Sequence, residues 1–133
     1  MTPYYAPAVQ AERGSPIVLF VVHRGAAHGR PALSVRGELD VATAPRLAES
    51  VASELAAKPR SLVVDLTDTT FLDSSGAREL VRAARRAADV GTSVQVVCPR
   101  GNTPVRLVID LLELHLLVPV VESAALTDGE VGS

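Results

Sequence analysis

The sequence predicts an α/β fold, in which helices alternate with strands and pack on a mixed β-sheet. The chain has 133 residues, the usual length of one domain. Segments with strand-like apolar patterns alternate with segments of helical spacing, in the order strand, strand, helix, strand, helix, strand, helix, strand. Hydrophobic residues make up 47% of the chain and aromatic residues only 3%, so the core is expected to consist of Val, Leu, Ile and Ala.

The domain boundaries follow from composition. Residues 1–15 mix Pro, Ala, Tyr and charged residues without periodicity, which predicts a flexible lead-in. The periodic patterns run through residues 16–124, which we assign to one folded domain. Residues 125–133 are predicted to form a flexible tail.

Two strands are predicted at the start of the domain. The continuous apolar run of residues 17–22 is typical of a strand that is buried on both faces. Residues 23–31 contain two Gly, two His and one Pro, which predicts a loop. Residues 32–37 alternate between apolar and other residues, as a half-buried strand does. The two strands are therefore expected to form an antiparallel pair.

The first helix is expected to begin after Thr43, its predicted N-cap, with Pro45 tolerated in the first turn. Pro59 should end it, because the residue before a proline disfavours helical angles. Its apolar stripe is Ala44, Leu47, Ala48, Val51, Ala52 and Leu55.

The second helix follows a buried strand at residues 62–66 and the segment of residues 71–76. Gly91 is the candidate for the left-handed position that closes this helix. Its predicted apolar positions are Ala77, Leu80, Val81, Ala84 and Ala88, and its polar face carries Arg78, Arg82, Arg85, Arg86 and Asp89.

The last third predicts one more strand, one helix and a final strand. Residues 94–97 form the strand, and Thr103 is the expected N-cap of the helix, with Pro104 at its first position. Residues 116–121 predict the final strand, which Pro119 suits to a sheet edge. The apolar face of the third helix is Val105, Val108, Ile109, Leu111 and Leu112.

Charge and cysteine content narrow the function. The net charge is −2, with 13 basic and 15 acidic residues, which argues against nucleic acid as a direct partner. No apolar run approaches the ~20 residues of a membrane helix, and no signal peptide is evident, so membrane insertion is not expected. The lone Cys98 cannot form an internal disulfide, which favours a reducing compartment. We therefore expect a cytoplasmic protein.

The candidate site is Asp73-Ser74-Ser75-Gly76, at the transition from a strand to a helix N-terminus. Such a sequence is most often only a cap and a turn, because a side-chain oxygen there accepts from free backbone N–H groups. Two consecutive hydroxyls exceed what one cap needs, so one is available for another role. A phosphate placed there would be stabilised by the same donors and by the helix dipole.

No catalytic residues, metal ligands or cofactor are predicted. The Gly-x-Ser-x-Gly elbow is missing around Ser74, and both glycine-rich phosphate-binding motifs are absent. His115 has no evident reason to meet Ser74. His23 and His28 have no Cys or acidic cluster beside them in their segment, so a solvated loop is favoured over a metal site. We expect a protein that another protein modifies, rather than an enzyme.

Four stretches together resemble a STAS domain, specifically the stand-alone anti-sigma-factor antagonists. They cover roughly residues 16–124 in order and with near-uniform spacing. The stretches are residues 33–40 with Ala44 and Pro45, residues 62–66, residues 71–76, and Val105, Arg106, Asp110 and Leu111 with residues 117–120.

The resemblance implies a phosphorylation-controlled partner switch with Ser74 as the phosphoacceptor. The expected partner is an anti-sigma factor with serine-kinase activity of the histidine-kinase-like ATPase type. The unmodified antagonist binds this partner and frees a sigma factor, whereas the phosphorylated form does not bind. A metal-dependent serine phosphatase resets the switch. The expected partner-binding residues are Asp40, Thr43, Asp73, Ser75, Gly76 and Arg78.

Three residues depart from the family pattern. Glu113 stands where the family commonly has Gly between the third helix and the last strand. Arg78 and Glu79 replace small or apolar residues and are expected to project near the docking rim, although a solvated helix face is the simpler explanation for the arginines.

Two alternatives remain. One is a STAS subunit of a lipid transporter or signalling scaffold, which acts by binding without phosphorylation. The other is a small serine-dependent enzyme.

Overall fold

The structure is a computed structural model that describes residues 20–124. The predicted lead-in of residues 1–15, the tail of residues 125–133 and residues 17–19 of the first predicted strand lie outside this range. The elements are β1 (Val21–Ala27), β2 (Arg30–Leu39), α1 (Ala44–Leu55), β3 (Ser61–Asp65), β4 (Thr69–Leu72), α2 (Ser74–Asp89), β5 (Ser93–Val97), α3 (Thr103–Leu111), a 3₁₀ turn (Leu114–Leu116) and β6 (Val120–Val121).

The sheet is mixed and is organised around β2. Strand β1 pairs antiparallel with β2, and β3, β5 and β6 follow in parallel, in the order β1-β2-β3-β5-β6. Strand β4 pairs parallel with the last residues of β2, beyond a register shift between Gly37 and Glu38. One strand thus pairs with β3 by its first half and with β4 by its end. The predicted α/β class and the antiparallel pair are confirmed.

All three helices share one core with one face of the sheet. Leu33 and Val35 of β2 and Leu62 and Val64 of β3 point toward the helices, whereas Val63 belongs to a small cluster on the opposite face. Each large side chain buried in this way contributes about 1.5–3 kcal/mol to folding. The helical side chains of this core are Leu47, Val51, Leu55, Ala77, Leu80, Ala83, Ala87, Val105 and Ile109.

The predicted loop at residues 23–31 is wrong, because β1 continues to Ala27. The connection to β2 is a two-residue turn in which His28 and Gly29 both have positive φ, as this tight hairpin requires. Strand β1 lies at the sheet edge and its side chains are mostly exposed, so no apolar pattern marked it. Val21 is 38% exposed, so the described part of the predicted first strand is not buried on both faces.

Strand β4 was also missed. It has only four residues, two of them threonine, which is too short and too polar for a clear pattern. The buried Thr69 hydroxyl donates a 2.7 Å hydrogen bond to the Val35 carbonyl of β2, so its polar group is satisfied by tertiary structure. The segment before the candidate site is therefore a strand of the same sheet.

The first two helices begin where predicted, with small errors in their buried faces, but α1 ends at Leu55, four residues before Pro59. Thr43 is the N-cap residue of α1, and Gly91 closes α2 at φ 82°. Ala52 of α1 is exposed rather than buried. In α2, Ala83 and Ala87 are buried whereas the predicted Ala88 is exposed. The buried stripe of α2 is thus rotated slightly about the helix axis relative to the predicted one.

The start of α3 was predicted one residue late. Its N-cap position is Asn102 rather than Thr103. The Asn102 side-chain amide donates to the carbonyls of Leu66 and Thr69, at 2.9 and 2.8 Å, and so ties the helix to the β3–β4 connection. These bonds are between segments more than 30 residues apart, which a local capping pattern does not reveal.

The apolar residues at the end of α3 and just after it are less buried than their hydrophobicity suggested. Leu111 is 71% exposed and Leu112 46%, because α3 buries only Val105 and Ile109. Residues 114–116 form the 3₁₀ turn instead of a strand, and β6 is limited to Val120–Val121. The predicted edge position after Pro119 is confirmed, since among residues 20–124 β6 pairs only with the end of β5.

Replacing Glu113 by glycine is expected to stabilise the protein. Glu113 has φ 52° and ψ 44°, a left-handed conformation that costs a residue with a Cβ roughly 1–2 kcal/mol. Because glycine also loses more backbone entropy on folding, Glu113→Gly should raise the free energy of unfolding by about 1 kcal/mol in urea titrations. Glu49→Gly, in the interior of α1, is the control and should lower it. A loss of stability in Glu113→Gly would contradict this account.

Candidate functional site

The candidate site forms where two parallel strands end side by side. Leu39 of β2 pairs with Leu72 of β4, so the next residues, Asp40 and Asp73, lie at the same rim of the sheet. The backbone N–H of Asp73 also donates to the Leu39 carbonyl at 3.4 Å. Strand pairing therefore brings the two acidic residues to the same rim.

Asp73 caps the N-terminus of α2. Its backbone is extended, and its carboxylate Oδ1 accepts the Gly76 N–H at 2.9 Å. Its carbonyl accepts the first helical hydrogen bond, from Ala77 N–H. A negative charge at this end of a helix is also favoured by the helix dipole.

Neither of the two serine side chains takes part in this capping arrangement. Ser74 is the first residue of α2 and is exposed, and its hydroxyl has no hydrogen-bond partner within residues 20–124. Ser75 is half-buried and lines a groove between α1 and α2. The cap that explains most such sequences is supplied by Asp73, so the Ser74 hydroxyl is accessible from solvent.

Gly76 lets α2 approach the ends of β2 and β4. It is buried, and a Cβ built on it would overlap the Leu39 carbonyl oxygen and lie 2.8 Å from Leu72 Cδ1. The sequence placed this glycine among the expected partner-binding residues. The backbone that comes closest is instead that of Leu39 in the same chain.

Gly76→Ala is expected to destabilise the protein, because neither the Leu39 backbone nor the buried Leu72 side chain has room to move. Overpacking of this kind costs about 1–3 kcal/mol, measurable by urea titration. Gly101→Ala is the matched control, since nothing lies within 4 Å of an added Cβ there. Equal stabilities of the two variants would show that the close approach is not a constraint.

The turn between β2 and α1 forms the second side of the site. Asp40 Oδ1 accepts from the N–H groups of Ala42 and Thr43, at 3.0 and 3.1 Å. The Thr43 hydroxyl accepts the Asp40 N–H at 2.9 Å and donates to the Glu38 carbonyl at 2.7 Å. These polar atoms shape the turn, whereas Val41, which is 71% exposed, is a large apolar side chain that the turn presents to solvent.

Val41 was not identified from the sequence. The available signal was an apolar residue inside a polar strand-to-helix connection, between Asp40 and Thr43. Its position beside the Asp73–Gly76 segment depends on the pairing of the ends of β2 and β4, which the sequence does not show.

A groove of about 380 Å³ runs between α1 and α2 and begins at Ser75. Arg78 lines it and is exposed, as predicted. Glu79 was expected to project at the rim, but it is only 4% exposed and pairs with Arg86 at 2.5 Å. The groove residues are Val41, Ala44, Pro45, Ala48, Ser75, Arg78, Glu79, Arg82 and Arg86.

Other reactive groups lie apart from this rim. Cys98 is fully buried, and burial raises the pKa of its thiol, an effect that the charge and hydrogen bond of Arg106 only partly oppose. Within residues 20–124 there is no group of three or more His, Cys, Asp or Glu side chains able to hold a metal ion. In the same range, no helix is long and apolar enough to cross a membrane.

Comparison with known proteins agrees with this architecture. The family model described as STAS domain matches residues 23–125. The chain belongs to the STAS domain family. Among curated relatives, the anti-sigma-F factor antagonist RsfB of Mycobacterium tuberculosis is 36% identical over 76 residues, which are 56% of this chain and 60% of RsfB. The similarity therefore spans about 60% of the length of that relative.

Two solved structures support the fold. A crystal structure of an anti-sigma factor antagonist from Mycobacterium paratuberculosis has a TM-score of 0.71 and 26% identity, covering 90% of this chain and 99% of the other. A putative anti-sigma factor antagonist from Thermotoga maritima has a TM-score of 0.72 at 20% identity, covering 84% of this chain and 95% of the other. At that lower identity the likeness concerns the fold alone.

Proposed function

We propose that this STAS protein is an anti-sigma-factor antagonist that is inactivated by phosphorylation on Ser74. Unmodified, it binds an anti-sigma factor with serine-kinase activity and frees a sigma factor, and a metal-dependent serine phosphatase restores the unmodified form. The observation that carries the proposal is the exposed Ser74 hydroxyl at the start of α2, where Asp73 already supplies the cap. The names of the relatives point to the same class of partner. A cytoplasmic location follows from this role.

The chemistry of the rim suits a charge-based switch. Phosphorylation adds about −1.5 to −2 charge and three acceptor oxygens to a serine. On Ser74 this charge would lie beside the Asp73 carboxylate and near Asp40. A docked partner surface would face added negative charge and would have to desolvate it. A loss of ~3 kcal/mol in binding free energy reduces affinity more than a hundredfold.

The proposed contact surface follows the predicted residues, with their roles revised. Arg78 and Val41 are exposed and can contact a partner directly. The oxygens of Asp40 and Thr43 that accept or donate within the turn act by holding it in shape. Asp73, Ser75 and Gly76 form the first turn of α2 that presents Ser74.

Ser74 is expected to be the modified residue when the protein is incubated with its anti-sigma kinase and ATP. Mass spectrometry of proteolytic fragments should place one phosphate on Ser74, because this hydroxyl is exposed and Ser75 is half-buried. The Ser74→Ala protein is the control and should stay unmodified. Phosphate on Ser75 or elsewhere, with none on Ser74, would refute the assignment.

Ser74→Asp should bind the anti-sigma factor at least tenfold more weakly than the wild type, whereas Ser74→Ala should bind normally and resist inactivation. The reason is the negative charge added at the rim. Isothermal titration calorimetry measures the affinity of each variant. Ser53→Asp, at an exposed position of α1, is the control for charge alone. Thermal unfolding should show that Ser74→Asp remains folded, since an acid at a helix N-terminus is favourable. Equal affinities of wild type and Ser74→Asp would exclude a charge-based switch.

One observation favours the alternative of a STAS subunit of a lipid transporter or scaffold. Exposed leucines cluster around α3 and the 3₁₀ turn, and an apolar surface of this kind suits a permanent partner. A pull-down with the tagged full chain separates the two functions, since the proposed one requires recovery of an anti-sigma factor. The exposed leucines are Leu107, Leu111, Leu112, Leu116 and Leu117.

The serine-dependent enzyme has less support. Such an enzyme needs a base within hydrogen-bond reach of its nucleophile, and the Ser74 hydroxyl has no hydrogen-bond partner in the described part of the chain. Labelling of Ser74 by a serine-reactive fluorophosphonate probe would favour the enzyme over the proposed function.

A further inference from the structure

The face of α2 that borders α1 carries a row of basic side chains. The row begins with Ser75 and continues with Arg78, Arg82 and Arg86. These residues are three or four positions apart, which places them on one side of the helix. All four line the groove between the helices. The row therefore starts next to Ser74, the candidate phosphorylation site, and runs along the groove.

The cations of this row differ in how they are neutralised. Arg86 pairs with the buried Glu79 at 2.5 Å. Arg78 and Arg82 are exposed, and neither has an ion-pair or hydrogen-bond partner within residues 20–124. The mouth of the groove thus holds two uncompensated positive charges in a protein whose net charge is −2.

The opposite wall of the groove is apolar. It consists of Val41, Ala44, Pro45 and Ala48, of which Val41 is 71% exposed. A surface that pairs an apolar wall with a row of arginines is complementary to a segment with apolar residues on one side and acidic residues on the other. Nucleic acid fits less well, because the protein is acidic overall.

We infer that the α1–α2 groove binds an acidic amphipathic segment of a protein partner, with Arg78 and Arg82 receiving its carboxylates and Val41 its apolar side. Where the partner is the anti-sigma factor, the inference rests on the proposed function. The groove then determines which partner binds, because Arg78 departs from the family pattern and Arg82 lies one helical turn after it.

The same arrangement links the groove to phosphorylation. Arg78 lies four residues after Ser74, one helical turn away, so a phosphate on Ser74 falls within reach of its guanidinium. The phosphate would form a charge-assisted hydrogen bond with Arg78, which is one of the two arginines inferred to bind the carboxylates of the partner. Phosphorylation would then weaken docking both by repulsion and by removing Arg78 from the groove.

The first test measures binding to the full chain by fluorescence anisotropy. The probe is a labelled 16-residue peptide of repeated Glu-Leu-Leu-Glu, compared with a peptide in which Lys replaces every Glu. The acidic peptide should bind at least tenfold more tightly than the basic one. Arg82→Glu should weaken its binding at least tenfold, and Arg82→Gln by a smaller factor. Arg85→Glu, an exposed charge reversal outside the groove, should change it less than twofold.

Several results would overturn the inference. These are the absence of detectable binding of the acidic peptide, equal binding of the two peptides, or equal losses in Arg82→Glu and Arg85→Glu. Binding of single-stranded DNA or of phosphatidylserine vesicles as tight as that of the acidic peptide, with the same dependence on Arg82, would also overturn it, because the groove would be a general anion site. Thermal unfolding of each variant checks that the fold is retained.

The second test repeats the comparison with the anti-sigma factor. Loss of its binding in Arg82→Glu but not in Arg85→Glu supports the groove as its docking site. If it binds wild type and Arg82→Glu equally, the groove assignment fails while the proposed function stands. If it does not bind the wild type, the proposed function fails and the peptide measurements alone decide the groove.

Discussion

The close contact between Gly76 and the end of β2 is the constraint on which the site depends. Only hydrogen fits between the α2 backbone and the Leu39 carbonyl, so α2 starts directly above the ends of two paired strands. This contact sets the distance between the first turn of α2 and the turn that precedes α1. It thereby brings Ser74, Asp73 and Val41 to one rim, although more than 30 residues separate the two segments.

The polar groups of the rim are divided between internal and external roles. The carboxylate oxygens of Asp40 and Asp73 that bond backbone N–H groups, together with the Thr43 hydroxyl, hold the two turns in place. Within residues 20–124, the Ser74 and Ser75 hydroxyls and the guanidinium groups of Arg78 and Arg82 make no such bonds. Side chains that do not stabilise the fold are the ones free to be modified or to contact a partner. This division gives the proposed switch its physical basis.

Burial also separates similar residues in α2. The buried Glu79 pairs with Arg86, whose side chain is 40% exposed, and an ion pair of this kind contributes little net stability because the buried carboxylate loses its hydration. Arg78 and Arg82, on the same side of the helix, keep their full charge. The arginines of this face look equivalent in the sequence. In the folded protein Arg86 is paired, whereas the unpaired charges of Arg78 and Arg82 lie nearer to Ser74.

The sequence alone determined four features, because each follows from local periodicity, turn chemistry or charge. They are the α/β class, the N-cap position of α1, the closing role of Gly91 and the exposure of Arg78. Tertiary structure decided what depends on pairing between distant segments. Strands β1 and β4 form because β2 offers them hydrogen bonds, and the Asn102 side chain ties the start of α3 to the carbonyls of Leu66 and Thr69. Likewise, the burial of Glu79 and the exposure of Val41 depend on how α1 and α2 pack, which local spacing does not specify.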